Sequence, residues 1–72
     1  MNYWFSVNLK RYREERGLSQ RQLAKMINTS QPIISAWENN MKYPLIDKAY
    51  DVAKALDISI SQLLDCPENL TL

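Results

Sequence analysis

Few side chains in this chain could do chemistry, and their types point away from making or breaking bonds. There is no histidine and Cys66 is the sole cysteine, so these residues cannot assemble a zinc tetrad or a His-based catalytic set. Gly17 is the sole glycine, which removes a glycine-rich phosphate loop. What the sequence does hold is hydroxyls and amides at telling separations. Ser19 and Gln22 stand three residues apart, and so do Ser59 and Gln62. That is the capping-box spacing: the hydroxyl accepts from the backbone N–H three residues on, and the Gln side chain accepts from the cap's own N–H. Leu18 with Leu23, and Ile58 with Leu63, flank the two boxes at hydrophobic-staple spacing. The expected chemistry is therefore hydrogen bonding. No enzyme activity, metal, cofactor or small-molecule ligand is implied, and Cys66 is read as an inert, half-buried thiol.

Each box opens a short helix. In the first, predicted over about residues 20–27, Leu23, Ala24 and Ile27 share one face. Asn28 follows, a residue that tolerates the left-handed conformation of a sharp helix exit. Ser30 is placed to cap a next helix over about residues 31–39, with Pro32 tolerated in its first turn. Ile34 and Trp37 give that helix its inward face, which makes Trp37 a core residue. Its outward face carries Gln31, Pro32, Ser35, Ala36 and Asn39. Upstream, residues 8–16 read as a helix with Leu9, Tyr12 and Phe5 on a stripe, ended by Gly17. Met1–Val7 is aromatic and has two readings, packing outside the helical core or a dimer contact. Downstream, Pro44 introduces a fourth helix with Ile46, Ala49, Val52, Ala53 and Leu56 on one face. Leu45 is a poor cap for it. A fifth helix spans about residues 60–65, and residues 66–72 form a tail.

The expected fold is all-α, with five short helices. The predicted core is Leu9, Tyr12, Leu18, Leu23, Ala24, Ile27, Ile34, Trp37, Ile46, Val52, Ala53, Leu56, Ile58 and Leu63. Seventy-two residues are expected to form one domain with no separate effector domain. A domain of this size buries only ~60% of its unfolded surface and gains from dimerisation.

The stretch Leu18–Asn39 resembles the helix-turn-helix of the Xre or Cro/cI-type DNA-binding family. The residues that carry the resemblance are Ser19-Gln20, Leu23-Ala24, Asn28, Ile34 and Trp37-Glu38-Asn39. Matching hydrophobic spacing extends it to roughly residues 8–65. The family usually has Gly where Asn28, Asn40 and Asp57 stand, and all three replacements are residue types that tolerate positive φ. The resemblance implies a lambda-repressor-like fold. It also implies double-stranded DNA as the partner, with the helix of residues 31–39 in the major groove. Family members pair an Arg with a Glu across the fold at the places of Arg13 and Glu38, so a partly buried ion pair is expected there.

Gln31 is the best base reader, because a Gln amide can bond adenine N6 and N7 together. In the phage repressors that this stretch resembles, the residue at this place reads bases and is braced by the counterpart of Gln20. Pro32 and Ala36 align with other base-facing places and offer apolar contact only, while Ile33 and Ser35 sit at the edges. Expected phosphate contacts are Gln20, Arg21, Asn39, Lys42 and Tyr43, with Lys10, Arg11 and Lys25 weaker candidates.

Net charge is only +1, yet residues 1–43 hold seven Lys/Arg against three Asp/Glu, and residues 44–72 hold two against five. A basic face toward phosphates and an acidic face turned away fits that split. Neither a membrane span nor a signal peptide is read, and a reduced, cytoplasmic setting is expected. The function expected is a small transcriptional regulator, a repressor. The alternative is a protein-interaction module on the same fold, such as an antitoxin or a partner of an antirepressor. A homodimer is expected through Ile60, Leu64, Leu70 and Leu72, with the Tyr3-Trp4-Phe5 cluster as a possible addition.

Overall fold

The computed structural model describes residues 3–66. Five helices follow in order: α1 Tyr3–Glu15, α2 Gln20–Met26, α3 Gln31–Glu38, α4 Ile46–Ala55 and α5 Ile60–Leu64. No strand occurs among the described residues. The first four helices leave by the same left-handed turn, at Gly17 (φ 69°), Asn28 (58°), Asn40 (60°) and Asp57 (57°). At each exit the next amide reaches back to the last full turn. Leu18 N donates to Arg13 O, Thr29 N to Ala24 O, Met41 N to Ala36 O, and Ile58 N to Ala53 O, at 2.8–3.1 Å. This is the Schellman closure, and it consumes carbonyls that the helix end would otherwise orphan.

Both capping boxes form. Gln22 N donates to Ser19 Oγ at 3.0 Å and Ser19 N to Gln22 Oε1 at 2.7 Å. The α5 box matches it, with Gln62 N to Ser59 Oγ at 3.0 Å and Ser59 N to Gln62 Oε1 at 2.8 Å. Ser30 departs from expectation. Its backbone is extended as an N-cap, but its side chain makes no cap bond. Pro32 occupies the second helical position and has no N–H to give. The Ile33 amide is taken by the Ser30 carbonyl instead, at 3.1 Å.

The core is built from Phe5 and Leu9 of α1, Leu23, Ala24 and Ile27 around α2, Ile34 and Trp37 of α3, Val52, Ala53 and Leu56 around α4, and Leu63 of α5. Tyr12, Leu18 and Ile58 pack against it while partly exposed. Three expectations are corrected, and the simplest is Cys66, which is exposed rather than half-buried. The first helix begins at Tyr3 rather than near residue 8. Its stripe runs back to Phe5, which is buried and meets Trp37 edge-to-face with ring centroids 6.0 Å apart. Ile46, expected in the core, is 63% exposed. It is the first residue of α4, one turn short of the point where Ala49, Val52 and Ala53 reach the other helices.

Two polar struts tie the helices together. Asn8 is fully buried, and its Nδ2 donates to Leu63 O at 2.9 Å and Asp65 O at 2.8 Å. These are carbonyls at the end of α5, which have no intrahelical donor. Lys48 on α4 sends its Nζ to Ile27 O, the C-cap carbonyl of α2, at 2.7 Å. No described helix is long and apolar enough to cross a membrane.

Candidate nucleic-acid interface

Gln31 is the first residue of α3 and is half-buried. Its Nε2 donates to Gln20 Oε1 at 2.6 Å. Gln20 in turn donates through Nε2 to Glu38 Oε1 at 2.9 Å. Glu38 is held by Arg13, with Nε to Oε2 at 2.6 Å and Nη2 to Oε1 at 3.1 Å. Arg13 Nη1 spends its remaining reach on Leu18 O at 2.7 Å. The Arg13 and Glu38 side chains are 10% and 3% exposed, so the pair is bidentate and largely dry. Hydrogen bonding to Glu38, over an opposing cost of burial, pushes the Arg13 pKa above its already high ordinary value. Its charge is therefore fixed at any working pH.

The relay runs Arg13–Glu38–Gln20–Gln31 and ends at the Gln31 amide. One N–H of Gln31 Nε2 is used by Gln20. The other N–H and the Oε1 lone pairs remain, which is the donor–acceptor pair that adenine N7 and N6 require. Pro32 and Ile33 are exposed beside it, and Ser35 and Ala36 are half-buried. Gln31, Pro32, Ile33, Ser35 and Ala36 thus share one helix and its outer side.

The expected phosphate contacts surround this helix. Gln20 and Arg21 are the first residues of α2, whose opening N–H groups have no intrahelical acceptor. Arg21 and Lys42 are exposed. Asn39 Nδ2 donates to Ser35 Oγ at 3.3 Å, which orders both on the outer side of α3. Tyr43 is half-buried against the core, and its hydroxyl donates to Asn40 Oδ1. The same oxygen accepts from Ser6 Oγ at 3.2 Å, tying the α3–α4 connection to α1. Among the weaker candidates, Lys10 and Lys25 are exposed, whereas the Arg11 guanidinium lies 4.5 Å from the centre of the Tyr12 ring. No group of three or more metal-ligating side chains occurs among the described residues.

Residues 9–63 match the family model described as helix-turn-helix. The chain belongs to this helix-turn-helix family. It is 29% identical over 65 residues to YqaE of Bacillus subtilis, an uncharacterized HTH-type transcriptional regulator. That match takes in 90% of this chain and 56% of YqaE, so the chain spans little more than half the length of that relative. Among solved structures, the hypothetical transcription factor NHTF from Neisseria superposes with a TM-score of 0.87 at 25% identity, over 94% of this chain and 78% of its own. SinR of Bacillus subtilis, the master regulator for biofilm formation, was solved in complex with DNA. It superposes with a TM-score of 0.79 at 32% identity, over 85% of this chain and 98% of its own. The lambda-repressor-like, five-helix architecture read from the sequence is the architecture of these helix-turn-helix proteins.

Some helix-turn-helix features escaped the sequence reading. Asn8 was legible in principle: it stands at the i+3 place of the Phe5–Leu9–Tyr12 stripe, and a polar residue inside an apolar stripe signals a buried hydrogen bond. Lys48 gave no local signal, because its partner carbonyl is 21 residues away. Of the expected dimer residues, Ile60 and Leu64 are partly buried and pack against the core, which leaves them less free surface than the sequence implied. Leu70 and Leu72 lie outside the described residues.

Proposed function

We propose that this chain is a sequence-specific double-stranded-DNA-binding regulator, a repressor, that works as a homodimer with α3 in the major groove. The observation that carries the proposal is the relay ending at Gln31. A buried ion pair and two amides fix the orientation of one side chain whose free groups match a base edge, and preorganisation of this kind lowers the entropy cost of binding. The helix-turn-helix relatives and the DNA complex of SinR support the same reading. No described feature favours a protein-interaction role over it.

In this mechanism phosphate contacts set the register. The amides opening α2 and the side chains of Arg21, Asn39, Lys42 and Tyr43 meet backbone oxygens. Gln31 then reads a base pair, and Pro32, Ile33 and Ala36 offer apolar surface to a thymine methyl. With so few polar readers, DNA shape supplies part of the specificity. One module of this kind is too weak for the ~10⁻⁸ M affinities of specific regulators, whereas two linked modules make the second contact intramolecular. A two-fold dimer would place its α3 helices ~34 Å apart on a palindrome. A gel shift with random-sequence duplex at low salt tests the first step. Binding that weakens steeply as salt rises is expected, and no binding at low salt would remove the proposal.

A further inference from the structure

Asn40 stands where α3 turns into the α3–α4 connection, with φ at 60°. Glycine adopts that conformation without strain, so Asn keeps a side chain at a place where the backbone needs none. Only one end of that side chain is used. Its Oδ1 accepts from Ser6 Oγ at 3.2 Å and from the Tyr43 hydroxyl. A carbonyl oxygen has two lone pairs, so both are taken and the plane of the carboxamide is set. Nδ2 keeps two N–H groups with no hydrogen-bond partner among the described residues. Asn40 is exposed and lines a cleft of about 460 Å³ between α1 and the end of α3.

The charges of that cleft do not cancel. Lys10, Arg11, Glu14, Glu38 and Asn39 line it as well. Glu38 is already bonded to Arg13 and Gln20. Lys10, Arg11 and Glu14 take part in no ion pair among the described residues. Arg11 keeps a buried Nε without a partner while its guanidinium lies over the Tyr12 ring. Two free cations therefore face one free carboxylate. We propose that the Asn40 amide donates to a phosphate oxygen of the DNA backbone, with Lys10 and Arg11 keeping the cleft positive beside it. The proposal rests on the DNA-binding reading above and adds to it a contact made by this chain's own residue at a turn.

The free groups choose the ligand. A phosphate oxygen only accepts, and Nδ2 only donates. An adenine edge would ask for an acceptor as well, and Oδ1 has none left. Asn39, Lys42 and Tyr43 flank Asn40 in the chain and are the proposed phosphate contacts on this side of α3, so a backbone that meets them passes Asn40.

Fluorescence anisotropy of the full chain on random and selected duplexes tests the proposal. Asn40→Gly suits φ 60° and removes the amide. It should keep the helical circular dichroism and bind both duplexes about tenfold more weakly, the scale of a hydrogen bond to a charged group. The slope of log affinity against log salt should not change, because a neutral amide displaces no counterion. Tyr43→Phe separates contact from bracing. If Asn40 served only to hold the Tyr43 hydroxyl, Asn40→Gly would have no further effect in the Tyr43→Phe background, whereas a direct contact still loses several-fold there. Asn28→Gly is the control, since Asn28 has the same left-handed φ and no side-chain hydrogen bond among the described residues. It should bind like the wild type. An Asn40→Gly variant that binds like the wild type, a loss that disappears in the Tyr43→Phe background, a reduced salt slope, or an equal loss at Asn28→Gly would overturn the proposal. Each of these leaves the DNA-binding reading standing. A wild type that binds no duplex at low salt sinks that reading, and this contact with it.

Discussion

Gln31 and Leu45 both stand where a helix begins, at the first position of α3 and the N-cap of α4, and their surroundings differ in kind. Around Gln31 the neighbouring polar side chains are spoken for: Gln20, Glu38 and Arg13 bond in sequence and end on the Gln31 amide. Around Leu45 there is no cap bond, and the side chain projects beside an apolar cleft. The first region spends buried charge to hold one polar group still. Such a pair is a poor source of stability against an apolar replacement, so its use here is positional. The second region leaves apolar area in water, which is favourable only once something covers it. The contrast sets a polar group held in one orientation against apolar side chains left in water.

The largest expected effect tests the rigid side of this contrast. Glu38→Gln leaves the Arg13 guanidinium buried without its counter-charge, and should cost ~3–5 kcal/mol in urea or thermal unfolding. Asp47→Asn, at the exposed start of α4, should stay within ~0.5 kcal/mol. Equal losses at the two sites would break the comparison. The pH dependence has a definite sign. Because the Arg13 pKa is raised on folding, its contribution is complete below the unfolded-state value and is lost only as pH rises through the still higher folded one. The pH dependence of unfolding below about pH 10 should therefore owe nothing to Arg13.

Next in size is the readout itself. Gln31→Ala should weaken binding to a selected site by ~1–3 kcal/mol while hardly changing affinity for random duplex, as measured by fluorescence anisotropy on both. Equal weakening on the two duplexes would mean that α3 is not the reader. The caps sharpen the structural side. Ser19→Ala and Ser59→Ala should each cost ~1 kcal/mol in unfolding experiments, whereas Ser30→Ala, whose hydroxyl makes no cap bond, should cost only a few tenths. The smallest change is at the rim. Lys42→Ala should weaken specific and random binding alike and reduce the slope of log affinity against log salt by about one.

What was legible in the sequence was local. Capping boxes, staples and left-handed exits are decided within four or five residues, so Ser19–Gln22, Ser59–Gln62 and Asn28 could be read directly, while Asn40 and Asp57 came with the resemblance. The resemblance at Trp37-Glu38-Asn39 carried the pairing of Arg13 with Glu38 across 25 positions, which spacing alone could not have given. Two kinds of feature stayed hidden. Partners far along the chain left no pattern, as with Asn8 and the carbonyls of Leu63 and Asp65. Periodicity also gives the direction of a face but not how far the neighbouring helices extend, and Ile46 is exposed for that reason. Ser30 shows a local rule overridden by its own neighbour, since the proline that favours a helix start removed one of the amides its hydroxyl could bond.

The central claim is that α3 reads sequence from a two-fold dimer. Selection of bound duplexes from a random pool by the full chain tests it most directly. The account predicts enriched sites with two-fold symmetry, half-sites about one helical turn apart, and an adenine in each half-site whose preference is lost when the selection is repeated with Gln31→Ala. A pool that shows no enrichment, or enriched sites that are unchanged by Gln31→Ala, would contradict it.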